Sequence, residues 1–288
     1  MTARTLDGRA VSAQIRSEVS ERVRALSEKG VTPGLAAVLV GDDQASRIYV
    51  GAKHKACADV GIRSEQVDLP AYVTEGELLA TLRRLNRDPE IHGIIVQLPM
   101  PAGLRELEVQ RTVVPEKDVD GLHPWNVGML VRGEATFTPA TPYGIVELLL
   151  REGIELAGAE VCVVGHGDLV GAPLSIMLAQ DSIRGNATVT STHVMTRDLA
   201  AHTSKADILV AAAGVPHLIR GDMIKPGATV IDVGVHRTAD GLVGDVVFDE
   251  AAEVAGAITP VPGGVGPMTV AMLLVNTVAA AEHQAFSR

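Results

Sequence analysis

The chain has 288 residues, of which 47% are hydrophobic and only 2% aromatic, and its formal net charge is −10. This length suits two domains, and the composition argues against nucleic acid and anionic membranes as partners. The chain has no basic-then-apolar leader and no uncharged apolar run long enough to span a bilayer, so we expect a cytoplasmic protein. Cys57 and Cys162 lack metal-ligand spacing, so neither a metal site nor a disulfide framework is predicted.

Helix and strand patterns alternate along the first hundred residues. Apolar residues spaced by three or four positions indicate helices, and short apolar or β-rich runs indicate strands. The predicted elements are a helix over 10–28, a strand over 35–40, a helix ending at Gly61, a strand over 62–69, a helix from a capping box at 74–77 to about 86, and a strand over 91–97. This alternation predicts a mainly parallel sheet.

The second of these helices contains Tyr49 and Lys53, which lie one turn apart on the same helix face. An aromatic ring beside an ammonium group could hold a flat heterocycle and deliver a proton to its edge. The preceding strand places the start of this helix at the mouth of a sheet, where open α/β folds bind ligands. A solvated amphipathic helix with an ordinary Tyr-Lys pair is the alternative explanation.

A segment rich in Pro, Gly, Asp and Asn interrupts the alternation over 115–142, which usually marks function or a domain junction. Thr141 and Pro142 then predict the start of a helix running to about Arg151. A second alternating block follows. Its predicted elements are a strand over 160–164, a helix over 170–180, a strand over 187–190, a helix over 197–203, and strands over 208–212 and 229–235.

The turn after the first strand of this block contains Gly165, Gly167 and Gly171. Glycines between a strand and a helix allow a tight turn and let backbone N–H groups approach a pyrophosphate at a helix N-terminus. Their spacing departs from G-x-G-x-x-G, so a turn that binds nothing remains the alternative. The chain ends with a Pro- and Gly-rich loop over 258–269 that could wrap a ligand, followed by an apolar helix to about 282.

Six motifs, in collinear order along the chain, carry a likeness that covers nearly its whole length. They are Tyr49-Val50-x-x-Lys53-x-Lys55-Ala56-Cys57, Gly93-Ile94-Ile95-Val96-Gln97-Leu98-Pro99, Pro115-x-Lys117-Asp118-Val119-Asp120-Gly121, Ile231-Asp232-Val233-Gly234, Gly244-Asp245-Val246, and the run from Thr259 to Thr269. Through them the chain resembles the methylenetetrahydrofolate dehydrogenase/methenyltetrahydrofolate cyclohydrolases. The resemblance implies two α/β domains with a cleft between them. The first would cover 1–139, completed by a C-terminal helix over 267–288, and the second, over 140–266, would be a Rossmann-type nucleotide-binding domain.

The family's chemistry is oxidation of 5,10-methylenetetrahydrofolate to the methenyl form by hydride transfer to NAD(P), and hydrolysis of that form to 10-formyltetrahydrofolate. By resemblance, Tyr49 would stack against the folate and Lys53 would be the key catalytic amine. Gln97 would hydrogen-bond that lysine, and Asp120 would hold the polar edge of the pterin. Asp118 is the second-ranked alternative for this role. Further substrate contacts are implied for Val96, Leu98, Pro99, Pro262, Gly263, Gly264, Pro267 and Thr269. A homodimer and a role in purine biosynthesis are also implied.

The nucleotide side departs from the family pattern. A Gly-Arg-Ser turn and a basic pair after the next strand are usual; here His166 and Gly167 stand in the turn, and Val194 and Met195 follow the strand. His236 replaces a usual Asn. The implied nucleotide-binding residues are Gly165, His166, Gly167, Asp168, Val170, Gly171, Thr192, His193 and Val235.

The cofactor therefore stays open between NADP, the family default, and NAD. The 2′-phosphate of NADP normally requires an Arg or Lys, and the usual clamp is missing from this sequence. Two further alternatives also stay open. The first is a cyclohydrolase with weak or no dehydrogenase activity, and the second is a folate-binding paralogue without catalysis.

Overall fold

A computed structural model describes residues 2–239 and 241–286 of the chain. The predicted domain ranges also include Met1, Asp240, Ser287 and Arg288, which lie outside the described residues. The described part is an α/β structure whose two larger sheets consist of parallel strands. The predicted fold class is thereby confirmed.

Strands and helices are labelled here in chain order. Within the described residues the strands are β1 (Arg4–Thr5), β2 (Gly34–Val40), β3 (Arg63–Leu69), β4 (Gly93–Val96), β5 (Glu160–Val164), β6 (Thr188–Thr192), β7 (Ile208–Ala211), β8 (Thr229–Asp232), β9 (His236–Thr238), β10 (Gly241–Val243) and β11 (Ala257–Ile258). The helices are α1 (Gly8–Ser27), α2 (Gln44–Val60), α3 (Glu75–Arg87), α4 (Glu106–Thr112), α5 (Pro124–Val131), α6 (Ala140–Arg151), α7 (Gly171–Ala179), α8 (Leu199–Thr203), α9 (Phe248–Val254) and α10 (Val265–Phe286).

The chain divides into two compact units. The six-strand unit comprises Met1–Ser12 and Thr141–Thr269, and the three-strand unit comprises Ala13–Ala140 and Val270–Arg288. The sequence assigned all of 1–139 to one domain, and the structure differs at the N-terminus. Residues before Ala13 group with the six-strand unit because β1 pairs in parallel with β11.

The three-strand unit is built around β2, which lies between β3 and β4 in a parallel sheet. Every residue of β2 is buried, as expected of an apolar run with a strand on either side. Helix α3 packs Leu78, Leu82 and Leu85 into the same core. Its predicted capping box is present, since the side chain of Thr74 accepts from the Glu77 N–H and the Glu77 carboxylate accepts from the Thr74 N–H.

The six-strand unit has the strand order β1-β11-β8-β7-β5-β6, with parallel pairing throughout. The chain leaves β5 to form β6 on one side and returns to form β7 on the other. This reversal of direction creates a crevice at the carboxyl ends of β5 and β7, which is where doubly wound sheets bind ligands. The turn 165–171 begins at that edge.

Helix α10 is, by length and composition, apolar enough to cross a membrane, which the sequence prediction did not anticipate. Two thirds (67%) of its most apolar stretch is buried within the protein, and the core helix of a soluble protein meets the same criteria. The helix begins at Val265, so Pro267 and Thr269 lie in its first turns and not in the predicted loop. Proline is tolerated there because the first N–H groups of a helix have no intrahelical acceptor.

Other boundaries also differ from the prediction. The segment 115–142, predicted as one long loop, contains a 3-10 turn at Pro115–Lys117 and helix α5. The strand predicted over 229–235 ends at Asp232, and β9 and β10 follow as an antiparallel pair. Helices α4 and α9 and the short strand β11 were not predicted.

Candidate active site

Helix α2 carries the first pair of candidate residues in the three-strand unit. Asp43 caps its start by accepting from the N–H of Ser46 at 2.7 Å. One face of the helix presents Tyr49, whose side chain is 44% exposed, and the half-buried Lys53. This arrangement leaves an aromatic ring and an ammonium group accessible one turn apart, as the spacing predicts.

The structure brings Lys53 to the carboxyl end of β4. Its Nζ donates to Oε1 of Gln97 at 3.2 Å, and Gln97 is its only hydrogen-bond partner among the described residues. The Gln97 amide is oriented in turn, because its Nε2 donates to the carbonyl of Leu98 at 2.6 Å. Its backbone N–H donates to the carbonyl of Val38 at 2.9 Å. The amine is therefore held by a side chain that is itself fixed to the sheet.

A second cation, which was not predicted from the sequence, lies in this region. Arg16 of α1 and Lys53 both act electrostatically on the thiol of Cys57. Burial raises the pKa of this thiol to about 12, and the two cations oppose the increase. The Nε of Arg16 is buried without a hydrogen-bond partner among the described residues. Only the fold could reveal this residue, because α1 reads as an ordinary amphipathic helix.

The two aspartates after β4 occupy different environments. Asp118 is 5% exposed and its carboxylate accepts from the backbone N–H of Leu122 and His123 and from Nδ2 of Asn126, at 3.2, 2.8 and 2.8 Å. Burial raises the pKa of Asp118, and these donors oppose the increase. Asp120 is half-buried and makes no hydrogen bond to a described residue. Asp118 thus organises the loop, while the carboxylate of Asp120 is free to accept from a ligand.

Asp120 also lines a small cavity of ≈ 30 Å³ together with Val96 and Leu98. Two predicted apolar substrate contacts and the predicted pterin-binding carboxylate are therefore brought together within one unit. The cavity is far too small to enclose a pterin ring. Pro99, the next predicted contact, is exposed.

We expect alanine substitution to separate the roles of the two aspartates. Asp118→Ala leaves three donors without their acceptor and should lower the free energy of unfolding by roughly 3 kcal/mol. Asp120→Ala removes no hydrogen bond to a described residue and should change stability by less than about 0.5 kcal/mol. Denaturant unfolding of both variants tests this. Equal destabilisation by the two substitutions would contradict it.

Asn276 on α10 supports the same loop and was missed in the sequence. Its Nδ2 donates to the carbonyls of Val119 and Thr138 at 2.8 and 2.9 Å, and the side chain is buried. Gly121, with φ +72°, lies so close to Thr138 that a Cβ would meet backbone atoms. An asparagine within the mostly apolar middle of α10 was the available signal, because a buried amide requires partners.

The Pro- and Gly-rich segment belongs to the six-strand unit. Gly263 and Gly264 are buried, and the guanidinium of Arg9 lies directly against Gly263. Pro262 is exposed, whereas Pro267 and Thr269 lie on α10. The Thr269 hydroxyl is 2.9 Å from that of Thr141, and the Pro267 carbonyl accepts from Ser12 Oγ at 3.0 Å.

The glycine turn lies at the carboxyl edge of β5. Gly165 has φ +105°, and a Cβ there would overlap the carbonyl of Ala212, which follows β7. A Cβ on Gly171 would overlap the carbonyl of Gly165, so α7 begins directly against the turn. The segment from His166 to Leu169 is exposed, whereas Val170 is half-buried. Two glycines thus permit a close backbone turn whose outer face is open to a ligand.

The remaining predicted nucleotide residues differ in accessibility. Thr192 is 1% exposed and its hydroxyl donates to the carbonyl of Val163 at 3.2 Å, so its side chain is occupied within the sheet. His193 and Asp168 are exposed, as is Val235 beyond β8. The side chain of Thr192 is therefore not available to a ligand, while the other three are.

A buried carboxylate network fixes the loops around this edge. Asp245 Oδ2 accepts from the N–H of Ala213 and Gly214 at 2.7 and 2.9 Å, and its Oδ1 lies 2.7 Å from Nε2 of His236. Asp232 accepts from three backbone N–H groups, those of Gly234, Asp245 and Val246. The sequence marked both aspartates as motif residues but did not indicate that they meet.

Burial raises the pKa of Asp232 to about 6, and this predicts a pH-dependent stability. Because the pKa of Asp232 is higher in the folded state than in the unfolded state, its protonation stabilises the fold. This contribution is fully present below about pH 4 and is lost as the pH rises through about 6. Relative to Asp232→Asn, which cannot titrate, the wild-type free energy of unfolding should fall by roughly 2 kcal/mol between pH 4 and 8. Denaturant unfolding across this range tests the sign, and a constant difference between the two proteins would refute it.

Two family models match the chain. Residues 6–120 match the tetrahydrofolate dehydrogenase/cyclohydrolase catalytic domain, and residues 139–285 match the NAD(P)-binding domain of the same family. A protein of Bordetella avium, the bifunctional protein FolD, is 56% identical over 284 residues, which cover 98% of this chain and 99% of the relative.

Solved structures agree with these matches. The bifunctional FolD methylenetetrahydrofolate dehydrogenase/cyclohydrolase of Campylobacter jejuni superposes with a TM-score of 0.94 at 45% identity, covering 98% of this chain and 99% of that one. The Trypanosoma brucei dehydrogenase-cyclohydrolase, solved with NADP and an inhibitor, gives 0.95 at 42% identity, covering 99% of both chains.

Proposed function

The chain belongs to the tetrahydrofolate dehydrogenase/cyclohydrolase family, and we propose that the Lys53–Gln97 pair is the centre of its chemistry. It is a bifunctional enzyme of one-carbon folate metabolism. Its dehydrogenase activity oxidises 5,10-methylenetetrahydrofolate to the methenyl form. Its cyclohydrolase activity hydrolyses the methenyl form to 10-formyltetrahydrofolate.

The hydrogen bond from Lys53 to Gln97 is the observation that supports the proposal. In the hydrolysis, water adds to the bridging methenyl carbon and the bond from that carbon to N5 breaks. The added water loses both of its protons, one to N5 and one to solvent, so the carbon becomes the formyl C=O on N10 and the charge of the methenyl cation leaves with the released proton. A positioned amine at Lys53 Nζ can move the proton to N5. Gln97 occupies one donor of the amine and fixes its direction, which leaves the other N–H groups for substrate and water.

Other residues would position the folate. Tyr49 offers an exposed ring for stacking, and Asp120 offers a carboxylate to the adjacent N–H donors of the pterin. The further substrate contacts proposed from the resemblance fall into two groups. Val96, Leu98 and Pro99 belong to the three-strand unit, and Pro262, Gly263, Gly264, Pro267 and Thr269 belong to the six-strand unit.

The chain has an NAD(P)-binding domain, and the turn 165–171 fits a dinucleotide. A Cβ on Gly165 or Gly171 would overlap a neighbouring backbone carbonyl, so the two glycines permit the tight turn. The residues from His166 to Leu169 between them are exposed. A bound nicotinamide supplies the acceptor for the hydride. The protein would bind the pyrophosphate through backbone N–H groups of the turn and hold the donor carbon in position.

We propose NADP as the cofactor, with weak discrimination against NAD. Val194 and Met195, which stand where relatives carry a basic pair, are 87% and 79% exposed and offer no charge. Arg197 is exposed nearby, and His166 replaces the usual arginine of the turn. The 2′-phosphate therefore lacks its ordinary guanidinium partners.

Restoring those partners should raise the preference for NADP. In the double variant His166→Arg/Met195→Arg, we expect the ratio of kcat/KM for NADP to that for NAD to rise at least about tenfold, because each guanidinium can donate two charge-assisted hydrogen bonds. His202→Arg, an exposed change on α8, is the matched control. An unchanged ratio in the double variant would contradict the hypothesis that missing basic residues at these positions limit the preference for NADP.

Both half-reactions, measured with each nucleotide, test the proposed function. We expect NAD(P)H formation from methylenetetrahydrofolate and loss of methenyltetrahydrofolate absorbance without nucleotide. Normal hydrolysis with no NAD(P)H formation would favour a cyclohydrolase with little dehydrogenase activity. This is the second candidate function, because the usual basic residues for the 2′-phosphate are missing. Folate binding without either reaction would refute catalysis.

A homodimer in the cytoplasm, with a folate as its small-molecule substrate, is the further proposal from the resemblance. Light scattering of the purified protein tests the dimer. A monomeric mass at micromolar concentration would reject it.

A further inference from the structure

Two histidine rings meet at the carboxyl edge of the six-strand sheet. The ring centroids of His166 and His193 are 4.6 Å apart, and the ring planes are inclined by 56°. The two residues follow neighbouring parallel strands, in which Val164 pairs with Thr192. A hydrogen bond of 2.9 Å from the N–H of Gly165 to the carbonyl of Thr192 locks the strand ends together. The pair is therefore set by the sheet, although both rings lie on its surface.

Three of the four ring nitrogens of this histidine pair, both of those of His166 and Nε2 of His193, make no hydrogen bond to a described residue. Nδ1 of His193 accepts from the N–H of Met195 at 3.2 Å, which leaves Nε2 as the donor of the neutral ring. The backbone of His193 is held by the Thr196 hydroxyl at 2.8 Å. His166 makes no hydrogen bond to a described residue. Both side chains are exposed.

The charge around the pair is mixed and close to neutral. The surrounding segments are the turn after β5, the segment after β6, and the loop after β7 that touches Gly165. Their other charged or titratable side chains are Asp168, Arg197, Asp198, His217 and Arg220, and Arg220 is paired with Glu250. Asp198 is engaged as the cap of α8, accepting from the N–H of Ala201 at 3.2 Å. No carboxylate directly follows β6, where NAD-binding folds carry the acceptor for the ribose hydroxyls.

We propose that His166 and His193 together bind the 2′-phosphate of NADP and that their protonation sets the preference for NADP over NAD. The proposal rests on nucleotide binding at the turn, as proposed above. Imidazole is the side chain that gains its charge between pH 5 and 8. A phosphate dianion beside two such rings favours their protonated forms, so NADP binding takes up protons from solution. NAD has no such group and leaves the rings unchanged.

Calorimetric titration of the full-length protein with NADP and with NAD tests this directly. Each titration is run in two buffers of different ionisation enthalpy at several pH values between 7 and 8.5, where the 2′-phosphate is already dianionic. We expect NADP binding to take up close to one proton, and its Kd to rise up to about tenfold per pH unit over the range of that uptake. The Kd for NAD should stay constant.

Variants assign the effect to the pair. His166→Asn and His193→Asn should each reduce the proton uptake and weaken NADP binding at pH 7 by a larger factor than they weaken NAD binding. His202→Asn, an exposed histidine of the same unit, is the matched control and should behave as wild type. His166→Arg should bind NADP with a smaller pH dependence, because one of the two charges is then permanent.

The outcomes separate this inference from the proposed function. Binding of both nucleotides without proton uptake, or an unchanged uptake in both asparagine variants, would overturn the histidine site and leave the dehydrogenase intact. Failure of either nucleotide to bind at any pH would overturn the histidine site and the proposed nucleotide site together.

Discussion

Lys53→Met is expected to reduce methenyltetrahydrofolate hydrolysis at least about 100-fold without unfolding the protein. A positioned acid or base typically contributes a factor of about 10²–10⁴, and methionine retains the hydrocarbon stem but cannot move a proton. Methionine is also a good helix former, and the half-buried Lys53 makes no ion pair with a described residue. Hydride transfer depends mainly on positioning, so we expect the dehydrogenase activity to fall less.

The measurement is the rate of loss of methenyl absorbance, with circular dichroism and denaturant unfolding to confirm the fold. Lys55→Met is the matched control, because Lys55 lies on the same helix, is exposed and points away from the Tyr49 face. Hydrolysis within tenfold of wild type in folded Lys53→Met would remove the lysine from the mechanism.

The second large effect is expected at the glycine turn. Gly165→Ala should lower the free energy of unfolding of the six-strand unit by roughly 3 kcal/mol. The backbone has φ +105°, which costs about 1–3 kcal/mol for any other residue. The new Cβ would in addition overlap the carbonyl of Ala212, a backbone group that cannot rotate away.

Gly167→Ala in the same turn is the control, because a Cβ there meets nothing within 4 Å and the backbone does not have positive φ. We expect its stability to stay within about 0.5 kcal/mol of wild type. Denaturant unfolding of both variants, followed by nucleotide titration of the folded protein, tests the contrast. Gly165→Ala as stable as Gly167→Ala would show that the turn does not need a glycine at its first position.

Local patterns predicted much of this fold because they are set by neighbours in sequence. The capping box of α3 needs only Thr74 and Glu77. Buried strands such as β2 are recognisable in the sequence as apolar runs. The helical spacing of Tyr49 and Lys53 likewise predicted a shared face. That Lys53 would reach Gln97 came from the family resemblance, since the two residues lie 44 positions apart.

The wrong secondary-structure predictions lie where a helix start signal or a side-chain hydrogen bond outweighs the local composition. Helix α5 lies in a segment rich in Pro and Gly, yet His123 caps it and Pro124 occupies its first position, which is a helix start signal. Strand β8 ends at Asp232 because that carboxylate accepts from nearby backbone N–H groups, and the apolar Val233 and Val235 do not extend it.

Local sequence patterns alone could not predict long-range polar contacts. Asp232 and Asp245 lie 13 residues apart, and the Asp232 carboxylate accepts from the Asp245 N–H. The Asp245 carboxylate in turn accepts from the Ala213 N–H in the loop after β7. No periodic sequence pattern predicts these contacts. Arg16 and Asn276 are positioned by helices from opposite ends of the chain. Polar residues of this kind become interpretable only when the fold shows which donors and acceptors they face.

The most direct test of the central claim is an experimental structure of this protein with a tetrahydrofolate analogue bound. We predict that Nζ of Lys53 lies within hydrogen-bonding distance of the ligand, still held by Gln97, and that the carboxylate of Asp120 accepts from the pterin N–H groups. An analogue bound elsewhere, with the ammonium of Lys53 facing bulk solvent, would contradict the account.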